Sequence, residues 1–312
     1  MLVAALVALA AAALFGVSTA LQHRSAGLVT DAQANGGEGL ARFVSGTLRH
    51  PLWVTGVVAD IGGFALHALA LREGPLSLVQ PLLVSSAVFA LVLRQLLEHR
   101  WPRRNQLAWA GALAVGLVMF LAVSTPAGGV AQPAGGVGQP ADPLATIVVG
   151  GLIGLGVLGF FLAGRRNTGR AAAALLGTAA GLSYAAVAGL LKQDMGTLDR
   201  GLGALVTSWP FYALIGVGAL GLLVNQLAYQ AGPLSSSLPA IMTVGPLVSL
   251  VIGVVVFDEQ FRRGPAALLG EAVCLALVLV GAGGLTRSEF TPAPWAEGRL
   301  AHGPTSAPRE VF

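Results

Sequence analysis

Residues 69–77 read LALREGPLS, and residues 227–235 read LAYQAGPLS. Four positions after each Ser stands a proline, Pro81 in one copy and Pro239 in the other, and at the same offset Gly63 falls on Gly221. Identities this dense at one constant offset mark an internal repeat. In both copies an apolar segment of about twenty residues, the length that crosses a bilayer, precedes the Gly-Pro turn and another follows it. The duplicated unit is a helical hairpin suited to a membrane.

Composition agrees with that reading. The 312 residues are 55% hydrophobic and only 10% charged, whereas soluble chains carry about 25% charged residues. The net charge of +4 sits in short basic clusters between apolar runs rather than on one face or arm, so it reads as a topology signal and not as a nucleic-acid surface. Cys274 is the single cysteine, which excludes an intrachain disulfide. No GxSxG, HExxH, CxxC or GxxxxGK[ST] occurs, nor a dinucleotide fingerprint in a strand–turn–helix context, so neither a standard hydrolase site nor an ATPase domain is expected, and no cofactor. An intramembrane enzyme would need a second catalytic group beside Asp60 or His67.

Outward from the repeats, apolar runs at 1–21, 52–71, 76–97, 106–123, 144–163, 171–191, 209–229, 234–257 and 265–285 predict an all-α membrane protein of about nine transmembrane helices. Ser18-Thr19-Ala20 resembles a signal cleavage site, but no Lys or Arg precedes the apolar core, which favours a retained first helix. Residues 22–50 are too polar to span, with a short surface helix expected at 40–48. Residues 192–200, carrying Lys192, Asp194, Asp199 and Arg200, read as a loop. The expected organisation is a first transmembrane repeat at 1–123, a Pro/Gly linker at 124–143, a linking helix at 144–164, a second repeat at 165–285 and a disordered tail at 286–312.

Charge orients this arrangement. Arg24, Arg42, Arg49, Arg94, Arg100, Arg103, Arg104, Arg165, Arg166 and Arg170 fall on one side with the tail, against Arg72, Lys192, Arg200, Arg262 and Arg263 on the other. The positive side faces the cytoplasm, so in the cell membrane the N-terminus and the linker are expected outside and the C-terminus inside. An odd number of helices separates the two Gly-Pro turns, which makes the repeats inverted. In secondary transporters that symmetry places the substrate site near the midplane between the halves.

The candidate site residues are polar groups inside the spans. Asp60 and His67 share a face of the second run, two helical turns apart, and a carboxylate at such depth costs about 3 kcal/mol unless it faces protein or a cavity. Asn225 falls on His67 in the second repeat, with Gln226 beside it. Gln80 next to Pro81 and the carboxylate Glu271 complete the set, and Pro81, Pro239 and Pro246 are expected to break their helices and line the cavity. Gly177/Gly181 and Gly150/Gly154 read as intrachain packing seams, with a homodimer as the alternative. The charges of the turn DEQFRRG at 258–264, Glu259 among them, read as interfacial ion pairs.

With the repeated Gly-Pro turns, the charged turns EHRWPRR (98–104) and DEQFRRG, and the glycine-rich helices WAGALAVGLVMFL (109–121) and GEAVCLALVLVGAG (270–283), residues 1–285 resemble the EamA-type drug/metabolite transporter superfamily. The stretches GVSTALQHRSAG (16–27) and HPLWVTGVVADIGGFALHALAL (50–71) are similar to the branch of NIPA-type magnesium transporters. The resemblance implies secondary transport of a small solute, a metabolite, amine or drug, across the lipid bilayer. The alternatives are transport of Mg2+, which the scarcity of oxygen ligands in the spans disfavours, and a non-transporting scaffold or accessory subunit.

The charge asymmetry makes a direct prediction. A cysteine replacing Gly135 in the linker is expected to react with a membrane-impermeant thiol reagent added to intact cells; labelling only after lysis reverses the orientation.

Overall fold

The computed structural model of the protein describes residues 2–33, 51–99, 101–124, 142–232, 234–259 and 265–289. The core of the linker, the expected surface helix at 40–48, Pro233, Arg262, Arg263 and residues 290–312 lie outside the described residues; the tail expected to be disordered from 286 is helical at its start, the last helix running on to Glu289. All regular structure among the described residues is helical: α1 (Leu2–Gln33), α2 (Pro51–Glu73), α3 (Leu76–Leu83), α4 (Ser86–Glu98), α5 (Arg104–Ser124), α6 (Pro143–Arg166), α7 (Gly169–Leu198), α8 (Leu202–Val206), α9 (Trp209–Ala231), α10 (Leu234–Phe257) and α11 (Pro265–Glu289). Nine segments of it are long and apolar enough to cross a membrane.

Helix starts follow local chemistry. Proline opens α2, α6 and α11, where its missing N–H is one the first turn leaves unbonded in any case. Asp142 caps α6, its Oδ1 accepting from Leu144 N at 2.9 Å and Ala145 N at 3.3 Å.

Three boundaries differ from the hydropathy reading. The first helix continues past Leu21 to Gln33, because no proline interrupts the polar stretch and hydropathy ends a membrane span without ending a helix. The same holds for α7, which continues to Leu198 and turns the expected loop residues Lys192 and Asp194 into helical ones; it stops before Gly201, whose φ of 106° suits only glycine. The third run divides into α3 and α4 at Val84–Ser85, where Val84 N bonds Pro81 O at 3.2 Å and Ser85 N bonds Leu82 O at 3.1 Å, a local tightening one turn after Pro81. Pro239 and Pro246, by contrast, lie inside α10, which runs through both without interruption. The expectation that these two break their helix is corrected, since a proline only removes one bond when its neighbours hold the rest of the ladder.

Packing is by small residues. A Cβ on Gly63 would stand 2.9 Å from Phe15, and one on Gly221 would stand 3.1 Å from Ser183 Cβ and 3.3 Å from the Tyr184 ring. Gly74 meets Ala4 of α1, and Gly232 meets the Gly169 backbone and Ala173 of α7. Contacts between α5 and α11, between α3 and α10, and between α2 and α7 join the first part of the chain to the second. The core surrounds α3, whose Leu76, Leu78, Val79 and Leu82 are buried together with Leu113, Phe120, Leu191, Ile252 and Val278.

The GxxxG seams divide. A Cβ on Gly177 would stand 2.7 Å from the carbonyl oxygen of Ser237, and one on Gly181 3.0 Å from Val244, so this pair is a seam between α7 and α10. Gly150 and Gly154 have nothing within 4 Å; the close seam expected there is absent, since both are exposed and Gly150 borders an open cavity between α6, α7, α9 and α10. Gly177→Ala is therefore expected to lower stability by about 1–3 kcal/mol, since backbone cannot yield as a side chain would. Gly154→Ala is expected to stay within about 0.5 kcal/mol of the unmodified protein. Thermal unfolding of the two purified variants in detergent reads the difference.

Candidate functional site

Two of the expected residues meet directly. Gln80 on α3 donates its Nε2–H to His67 Nε2 on α2 at 3.2 Å, an arrangement that requires the imidazole nitrogen to be an acceptor. The His67 ring is buried between Phe15 and Phe64, each edge-on with centroids 6.4 Å away. Aromatic edges and one amide thus fix the orientation of His67.

Asp60 stands on the same helix, nearer the opposite end, and is exposed rather than enclosed. Its carboxylate interacts with the hydroxyl of buried Ser18 on α1, which in turn accepts from Gln22 Nε2 at 2.8 Å. Asp60 also lies within electrostatic reach of the Tyr184 hydroxyl on α7. Tyr184 and Tyr229 both interact with the Asn225 side chain on α9, whose Oδ1 is buried and accepts no hydrogen bond. Asp60, Tyr184, Asn225 and Tyr229 therefore form one polar neighbourhood drawn from three helices, with a carboxylate and an amide oxygen as its acceptors.

The remaining candidates separate from this group. Gln226, next to Asn225 in sequence, is exposed on the outer side of α9, because adjacent helical positions are turned about 100° apart. Glu271 is buried on α11, one turn from Cys274 and beside the region where Gly270 approaches Val123 of α5. Pro81 is buried in α3 close to the α3–α4 turn, and Pro239 approaches Gly283 of α11. No group of three or more His, Cys, Asp or Glu side chains comes together among the described residues. A cavity of about 210 Å³ lies between α6, α7, α9 and α10, where Ile153, Gln193, Trp209, Ala213 and Phe257 help line it; it includes none of the candidates.

The structure adds residues that sequence reasoning passed over. Glu259, two residues beyond the end of α10, is buried. Its Oε1 accepts from Leu76 N at 2.6 Å, its Oε2 from Ser77 N at 2.9 Å, and it forms an ion pair with Lys192. Asp194, expected in a loop, is buried in α7 with neither carboxylate oxygen hydrogen-bonded. One signal was present in the sequence: Lys192 is the only lysine among 18 basic residues, and a compact ammonium is a different instrument from the guanidinium used everywhere else.

These features define an all-helical, multi-pass membrane protein with ionisable groups gathered inside its spans. The chain is 28% identical over 294 residues to an uncharacterized protein of Corynebacterium glutamicum, a match covering 94% of this chain and 97% of that one. No family model matches the chain, and no solved structure matches it significantly.

The His67–Gln80 bond generates a stability prediction. Gln80→Leu removes the donor and leaves a buried imidazole nitrogen unbonded, which is expected to lower stability by about 1–3 kcal/mol. Gln226→Leu, at an exposed position, is expected to stay within about 0.5 kcal/mol. Thermal unfolding in detergent checks both.

Proposed function

We propose that the protein is a secondary transporter of a small solute, working by alternating access between two inverted repeats, as expected of the drug/metabolite transporter superfamily that its sequence resembles. The site lies where α2 meets α7, with Asn225 and Tyr229 of α9 reaching it through Tyr184. The observation that carries this reading is the position of Asp60: a carboxylate in the middle of an apolar span, exposed, and within electrostatic reach of Tyr184 from the other half of the chain. A carboxylate facing lipid at that depth is disfavoured by about 3 kcal/mol, so an exposed one belongs to a crevice that admits water or solute.

The inverted-repeat reading is supported by recurring contacts. Gly63 rests on Phe15 of α1 as Gly221 rests on Tyr184 of α7, and Gly74 meets Ala4 as Gly232 meets Ala173. In each half the residues of the repeated hairpin seat themselves on the long apolar helix that precedes it, α1 in the first and α7 in the second, which is the behaviour of two copies of one unit. In this scheme the carboxylate of Asp60 and the unbonded Oδ1 of Asn225 offer acceptors to a donor-rich part of the solute, Tyr184 and Tyr229 offer ring faces and hydroxyls, and the fixed His67–Gln80 pair lies farther along α2.

Asp60→Asn preserves shape while removing the charge. Uptake or efflux across a panel of small metabolites and amines in proteoliposomes is expected to fall at least about tenfold, or about 1.4 kcal/mol in the controlling step, with folded yield unchanged. Transport at the unmodified rate in both Asp60→Asn and Tyr184→Phe would remove this neighbourhood from the mechanism.

A further inference from the structure

The end of the bundle where α2 turns into α3 is tied together by charge. Arg72 of α2 pairs with Asp199 at the end of α7 at 2.7 Å. Beside it, Glu259 reaches in from the end of α10 and seats its carboxylate on the first two N–H groups of α3, at 2.6 Å and 2.9 Å, while Lys192 of α7 neutralises it. Both ties connect the first half of the chain to the second.

The seat is built rather than incidental. Asp258 takes a left-handed φ of 48°, which turns the chain inward after α10, and Glu259 N then bonds back to Gly253 O at 3.0 Å. A Cβ on Gly253 would collide with the Glu259 carboxylate, so only glycine leaves it room. The Lys192 ammonium lies 4.9 Å over the Phe257 ring, a second favourable contact for the same charge. Glu259 is 4% exposed.

The helix that Glu259 holds is short and bounded by a turn at each end. α3 has eight residues, bounded by the Gly74–Pro75 turn at one end and the Val84–Ser85 turn at the other, and it carries Gln80 with its bond to His67. If the carboxylate leaves, the N–H groups of Leu76 and Ser77 need another acceptor, and water is the available one. Release of the carboxylate and entry of water at this end are therefore one event.

Resting on the transport reading above, we propose that Glu259, held by Lys192 and seated on the N-terminus of α3, is the latch that closes this end of the translocation path and is released and re-formed in each cycle. Opening frees α3 to shift with Gln80, so the state of the latch is passed to the polar groups on α2.

Labelling tests the latch independently of transport. In a Cys274→Ala background, the reporter Ser77→Cys is isosteric and buried behind Glu259, and a charged thiol reagent is expected to modify it slowly. Adding Glu259→Ala or Lys192→Met is expected to raise the labelling rate at least about tenfold, since a buried pair deprived of one partner no longer favours the closed state. The exchange Lys192→Glu with Glu259→Lys restores opposite charges but puts a donor where α3 needs an acceptor, so labelling is expected to stay fast. Glu259→Gln keeps the volume and serves if the alanine variant does not fold; it too is expected to label faster than the unmodified latch. Unchanged labelling in the folded variants, or a slow exchanged pair, overturns the latch. Neither result touches the Asp60 proposal, and normal transport by Asp60→Asn would leave the labelling result standing.

Discussion

A helix that begins inside a membrane protein starts with N–H groups that have no carbonyl one turn back, and the water that would serve them at a surface is missing. α3 is such a helix. Proline at position 75 stops α2 and removes one donor, but Leu76 and Ser77 still present theirs in the interior, and Glu259 answers both with one carboxylate. A buried carboxylate needs a counter-charge, which fixes Lys192 on α7; it needs space, which fixes glycine at 253; and it needs an inward turn, which Asp258 supplies. Removing one member strands the other, at about 3–5 kcal/mol. The position of α10 against α3 follows from this chain of requirements.

Elsewhere the helices associate through close approach. Lipid is as apolar as leucine, so burying leucine gives little drive, and glycines such as Gly116, Gly177 and Gly281 instead let backbones come together. Several hydroxyl groups on these helices are turned onto their own helix: Thr178 donates to Ala174 O, Ser183 to Ala179 O and Thr286 to Ala282 O. Against that background the groups that reach other helices stand out. The His67–Gln80 bond and the Asp60, Tyr184 and Asn225 neighbourhood all involve α2, the element that meets α1 and α3 of its own half and α7 of the other.

The repeated Gly-Pro hairpins, the apolar run lengths and the low charge determined in advance that the chain is helical and crosses the membrane several times, because bilayer thickness and backbone hydrogen bonding leave few other solutions. They also singled out Asp60, His67, Gln80 and Asn225, since a polar group in an apolar span is visible without coordinates. Periodicity alone did not show that Gln226 faces outward or that Glu271 lies on a different helix pair, and it read Gly150 and Gly154 as a seam although no atom comes within 4 Å of where their Cβ atoms would stand. The break at Val84–Ser85 and the unbroken course of α10 through two prolines depend on which neighbouring groups hold the ladder. Glu259 and Lys192 are 67 residues apart, and each looked like an ordinary surface charge. Local sequence carries hydropathy and turn chemistry; only packing of distant helices decides that one carboxylate must complete the start of another helix, because the unmet N–H groups arise where the two halves close against each other.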